Sequence, residues 1–170
     1  MSYHTAALAT FENLLGTMDH LATRATDGGS GDEAMQAKLA EDMFPLETQF
    51  RICQNQVILA LQRVWGMDIA MEEAPYETLT AAREGLARTR AHVATAKGQE
   101  AAAADTPVDM TLPNGMRFVM EAHEYIRDWT LPNAYFHASI AYALLRRDGL
   151  DLGKRDFLPF MMRYGRPAVG

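Results

Sequence analysis

A chain of 170 residues, 48% hydrophobic and 22% charged, is long enough to bury a full core and too apolar to stay disordered. Its formal net charge of −6 and pI of about 5.3 argue against a phosphate backbone as partner, so nucleic acid is not expected. No stretch approaches the ~20 apolar residues of a membrane span, so no membrane partner is expected either. One cysteine, Cys53, cannot form an internal disulfide and suits a reducing compartment. Met1-Ser-Tyr-His-Thr5 has neither the basic start nor the apolar run of a secretory signal. The expectation is a cytoplasmic protein with one domain spanning residues 1–170.

The first helical stripe runs from about Thr5 to Arg24, with Leu8, Phe11, Leu15, Met18 and Ala22 on one face. Thr26-Asp-Gly-Gly-Ser-Gly-Asp32 breaks it with a flexible loop. A short helix is expected around Glu33–Leu39. Pro45 then fits the first turn of a second long helix, where its missing N–H costs nothing, with Glu41 and Asp42 placed to cap it. Its stripe is Leu46, Phe50, Cys53, Val57, Leu61 and Val64, and Gly66 supplies a C-cap.

A third helix is expected from about Thr78 to Ala96, on Leu79, Ala82, Leu86 and Val93. Its other face carries Arg83, Glu84, Arg88 and Arg90 and reads as solvated surface. From Val108 to Met120 the period changes to two on either side of Pro113-Asn114-Gly115, which predicts a small β-hairpin leaning on the helices. A helical approach from Glu121 to about Trp129 meets Pro132, which either kinks it or starts a new helix. The last helix, about Asn133 to Arg147, stacks Ala134, His137, Ala138, Ala141, Leu144 and Leu145, and Asp148-Gly149 closes it. Four long amphipathic segments predict an all-α, antiparallel four-helix bundle with the hairpin inserted before the last helix.

Two gap-free stretches carry a resemblance. One is Leu39-Ala-Glu-Asp-Met-Phe-Pro-Leu46 with Gln49. The other is Leu131-Pro-Asn-Ala-Tyr-Phe-His137, continued by Ala141-Tyr142, Leu145-Arg146, Gly149 and Leu152-Gly-Lys-Arg-Asp-Phe157. Together they resemble an uncharacterised, mostly bacterial domain-of-unknown-function family, placed near the DinB/YfiT-like four-helix bundles, which are often described as metalloenzymes. That superfamily often carries three metal-binding histidines, one on the second long helix and two as His-x-x-x-His on the last. The resemblance places His137 at the second position of that pair. Asn133 stands at the first, and no histidine lies between Pro45 and Trp65. Since amides are poor transition-metal ligands, no metal residues are assigned and no cofactor is expected, a divalent metal being the alternative.

His137, on an apolar helical stripe, reads first as a buried hydrogen-bonded group and second as the polar floor of an interhelical cavity. The candidate ligand-binding set is His137, Asn133, Gln49, Cys53 and Tyr135. Taken alone, Cys53 reads as a buried, inert thiol and Tyr135 as a core or interface aromatic. Lys154-Arg-Asp-Phe157 is expected to pin the C-terminal segment by an ion pair and aromatic packing. The apolar segment Phe160-Met-Met-Arg-Tyr164 and the small residues Ala134, Ala138 and Ala141 suggest a homodimer. The sequence specifies no reaction, and whether the chain is an enzyme stays open. Three functions compete: a metal-free small-molecule binder, a metal-dependent hydrolase or thiol transferase, and a non-enzymatic dimeric interaction module.

Overall fold

The structure, a computed structural model, describes residues 2–166. It is mostly helical with one small antiparallel hairpin. Helix α1 spans Tyr3–Asp27, capped by the Ser2 side chain, which accepts from the Thr5 N–H. The expected stripe is buried, and Ala7, Leu14, Leu21 and Ala25 widen it. Gly29, at φ +80°, turns the chain out of the helix, a conformation that other residues rarely adopt. The short element expected next is a 3₁₀ turn, Asp32–Gln36, which ends earlier than its pattern suggested and plugs Met35 into the core.

Helix α2 spans Leu46–Trp65. Pro45 sits just outside it as the N-cap residue, in extended conformation, and no side chain caps this end. Glu41 and Asp42 are therefore not caps; the acidic residue of the first turn is Glu47. Gly66 closes the helix at φ +64° and donates to the Leu61 carbonyl. The next segment is clamped to α2 by Asn55, which donates to the Glu72 carbonyl and accepts from the Glu72 N–H, both at 2.9 Å.

Helix α3 spans Leu79–Ala96 and is capped by Thr78. Its arginines are exposed yet paired: Arg83 and Arg90 reach Asp19 on α1 at 3.1 and 3.8 Å, and Arg88 reaches Glu72 at 2.8 Å. This face is a set of ion pairs between elements, more than the plain solvated surface its composition suggested. Such exposed pairs contribute little each and mainly favour one arrangement.

Strands β1 (Pro107–Thr111) and β2 (Arg117–Glu121) pair antiparallel, Met110 opposite Phe118. Gly115 takes φ +83° in the connecting turn. Val108 and Met110 face inward and are buried, as the period of two required. The chain then stays helical from α4 (Ala122–Glu124), through a π turn at Tyr125–Thr130, into α5 (Leu131–Arg147). Pro132 lacks the N–H that would bond four residues back, and the wide turn just before it absorbs the mismatch. Of the two expected outcomes Pro132 takes the second: it stands in the first turn of α5, directly after the π turn.

Helix α6 (Lys154–Phe157) docks the C-terminal segment on α1. Buried Asp156 accepts from Arg24 at 2.7 Å, from the Gly153 N–H at 2.8 Å, and pairs with His20 at 3.0 Å. Phe157 packs edge-on against Tyr142 at 5.8 Å. The ion pair and aromatic contact expected of this motif are both present. A last 3₁₀ segment, Pro159–Tyr164, leaves Met161, Met162 and Tyr164 exposed.

Packing runs in a ring: α1 lies on α3 and α5, and α2 lies on α3 and α5. Ala134, Ala138 and Ala141 are fully buried inside this ring. They let α5 approach its own neighbours, so these three residues offer nothing to a second subunit. No helix of the described residues is long and apolar enough to cross a membrane.

Candidate functional site

Two facing helices build the site. Gln49 lies one turn into α2 and is 2% exposed. Its side-chain N–H donates to the Phe44 carbonyl at 2.9 Å, just before the helix. That bond turns the amide oxygen toward α5, where His137 Nδ1 lies 2.7 Å away. Two acceptors cannot share such a contact, so Nδ1 donates and carries the ring proton. Nε2 is left with its lone pair.

His137 is half-buried, and burial lowers its pKa from the usual histidine value, which favours the neutral ring. Nε2 has no partner among the described residues and is not closed off from solvent. The ring therefore faces both ways: its inner nitrogen is tied to Gln49, and its outer nitrogen opens at the surface. The ring is hydrogen-bonded within the fold, as the first reading expected, but it is half-buried where a buried group was expected. Exposed Phe136 packs edge-on against the imidazole at 5.3 Å. Phe44, whose carbonyl anchors Gln49, is also exposed.

Asn133 lies one turn before His137 and donates to the Trp129 carbonyl at 2.7 Å, which leaves its amide oxygen free to accept. Cys53 is fully buried, and burial pushes its thiol up to about 12, so it stays protonated and inert at neutral pH. Tyr135 is partly exposed; burial, and then the neighbouring Cys53, raise its pKa. The structure thus joins Gln49 to His137, puts Asn133 one helical turn before His137, and separates exposed Tyr135 from fully buried Cys53. Three cavities, of about 700, 440 and 350 Å³, lie elsewhere, and none of the five residues lines them.

Two further polar clusters escaped sequence reasoning. Gln54 is fully buried and accepts from Tyr76 and Thr89, each at 3.3 Å. Gly85 makes room for them: a Cβ there would lie 2.1 Å from the Tyr76 hydroxyl. A lone glycine inside a helical pattern was the available signal. Arg63 donates to the Tyr125 hydroxyl at 2.6 Å and ties α2 to the π turn. No local spacing announces that contact.

Residues 3–158 match a family model described as a domain of unknown function, DUF1993. The chain belongs to that family. No curated protein matches this DUF1993 member. Among solved structures it is similar to a DinB family member protein from Shewanella denitrificans, with a TM-score of 0.70 and 22% identity. The match covers 98% of this chain and 92% of the other. At that identity the likeness is one of fold.

The DinB resemblance implies a metal, and the donors of this DUF1993 chain do not fit one. The Gln49 oxygen is already engaged by His137, Asn133 offers an amide, and the Cys53 thiol is held protonated by burial. Among the described residues, no three or more His, Cys, Asp or Glu side chains are grouped to hold an ion.

Proposed function

We propose that this DUF1993 domain is an antiparallel, DinB-like four-helix bundle that binds a small molecule at the surface around His137, without a resident metal. The observation that supports this reading is the chain Phe44 carbonyl–Gln49 amide–His137 Nδ1, with bonds of 2.9 and 2.7 Å. It holds the imidazole in one tautomer and presents Nε2 as a fixed acceptor. Bound histidines are oriented in this way wherever a second residue sets the tautomer. A ligand would donate an N–H or O–H to Nε2, a second donor would meet the Asn133 oxygen, and an apolar part would lie on Phe136 and Phe44.

The test is a fragment screen read on the His137 ring resonances in ¹⁵N-labelled protein. Donor-bearing fragments should move the Nε2 signal in wild type. They should leave the other resonances of a His137→Gln variant untouched. Shifts confined to residues remote from His137 would contradict the reading.

We also infer a homodimer in the cytoplasm. The exposed Met161, Met162 and Tyr164 support pairing, since apolar side chains clustered on one segment favour association. The lone buried Cys53 suits a reducing compartment.

A further inference from the structure

Two polar contacts join α2 to the chain that runs from the π turn into α5. Near the start of α2, Gln49 meets His137 at 2.7 Å. Near its end, Arg63 donates to the Tyr125 hydroxyl at 2.6 Å, and its guanidinium lies 5.2 Å over the Tyr125 ring. Gln49 and Arg63 are fourteen residues apart, roughly four α-helical turns, so they share one face of α2 to within about 40°.

Their partners do not keep that spacing. Tyr125 and His137 are twelve residues apart. On an unbroken α-helix that is about three and a third turns, which would set the two side chains about 120° apart. A straight helix that turned Tyr125 to Arg63 would turn His137 away from Gln49. The π turn removes this conflict. Over Tyr125–Thr130 the chain bonds five residues back, as the Leu131 N–H does to the Ile126 carbonyl, and so takes up one residue more than an α-helix would. The remaining eleven residues make about three turns, an offset of about 20°, and both contacts form. Pro132 favours the wide turn, because in a straight helix its ring would crowd the Asp128 carbonyl and leave that carbonyl without a donor. Tyr125 and Ile126 on one side and Ala134 and Ala138 on the other are buried, so neither end turns freely.

We propose that the π turn and Pro132 position the His137 site. They absorb the one residue that would otherwise turn His137 from Gln49, and the Arg63–Tyr125 pair is the anchor from which this register is counted. Pro132, Arg63 and Tyr125 are positioning residues. The proposal rests on the reading of His137 as the polar group of a binding site.

The experiment changes the residue count and reads the His137 tautomer from the ¹⁵N shifts of its ring, with a melting curve for each variant. Asp128 is exposed and pairs with its exposed neighbour Arg127, so a residue can be removed or added there without opening the core. Deleting Asp128 together with Pro132→Ala leaves a straight helix of the right length. This double variant should melt cooperatively and keep the single Nδ1-protonated ring. Deleting Asp128 alone leaves a proline that a straight helix rejects, and inserting alanine after Asp128 adds about 100° of turn. Each of these should give a mixture of tautomers. A proline that merely stiffened the chain would not become harmful on loss of Asp128. The proposal is overturned if the insertion or the single deletion keeps the wild-type ring, or if the double variant loses that ring or fails to fold. Loss of fragment shifts at His137 with the tautomer intact would instead count against the binding reading, while the register assignment holds.

Discussion

Gln49 and His137, 88 positions apart in the chain, meet through a 2.7 Å hydrogen bond between the amide oxygen and Nδ1. The amide cannot rotate to suit a different ring, because its nitrogen is spent on the Phe44 carbonyl. The contact is therefore directional. It decides which nitrogen of His137 faces solvent, and this orientation is the basis of the proposed site.

Replacing His137 with leucine should strand the Gln49 oxygen, which is buried, and cost about 1–3 kcal/mol in thermal or denaturant unfolding. His137→Gln keeps a donor for that oxygen and should cost less. Equal melting temperatures for the two variants would show that the hydrogen bond contributes nothing to stability.

The pH dependence of His137 has a definite sign. Burial lowers its folded pKa, so the unfolded chain takes up a proton that the native ring resists. The stability contributed is fully present above the unfolded histidine value of about 6.5 and is lost as pH falls through the lower folded value. His137→Gln should flatten this part of the stability curve. A wild-type curve that rises as pH drops through that window would contradict the assignment.

Asp156 works in the same direction at lower pH. Burial opposes its charge, yet the Gly153 N–H, His20 and Arg24 outweigh that and hold its pKa below the usual carboxylate range. Its contribution is present above the unfolded carboxylate value and is lost as pH falls through the folded one. Asp156→Asn should remove that acid-side loss and cost about 1–3 kcal/mol at neutral pH, measured by urea unfolding. Because α6 is held on α1 by this carboxylate, hydrogen exchange should rise first in residues 150–158.

Gly85→Ala should push Tyr76 off its seat, since the new Cβ would lie 2.1 Å from the hydroxyl. Overpacking of this kind costs about 1–3 kcal/mol. Adding Tyr76→Phe should recover part of the loss, since the ring carbon that remains would still be 2.8 Å away. A double-mutant cycle with no coupling between the two positions would refute the contact.

Much of this fold was legible because long periodic segments declare themselves. The stripes of α1 and α2 appear where Phe11, Met18, Phe50 and Leu61 place them, and Asn114-Gly115 marks the hairpin turn. Boundaries were harder. Pro45 and Pro132 both signal a break, yet one lies just outside its helix and the other within the first turn of its helix, after a π turn. Only the packing of neighbouring elements decides between such outcomes. The candidate site was legible in its members and not in its geometry. Gln49, Asn133 and His137 were all in view, but the amide orientation depends on a backbone carbonyl five residues before Gln49. The Ala134, Ala138 and Ala141 stripe pointed to a helix partner without saying which, and all three are buried in this chain's own core.

The most direct test is the tautomer of His137, read from the ¹⁵N shifts and long-range ¹H–¹⁵N couplings of its ring at neutral pH. A neutral ring protonated at Nδ1, switching toward a mixture in Gln49→Met, is the predicted result. A ring protonated at Nε2, or a cationic ring at neutral pH, would contradict the arrangement on which the proposed function stands.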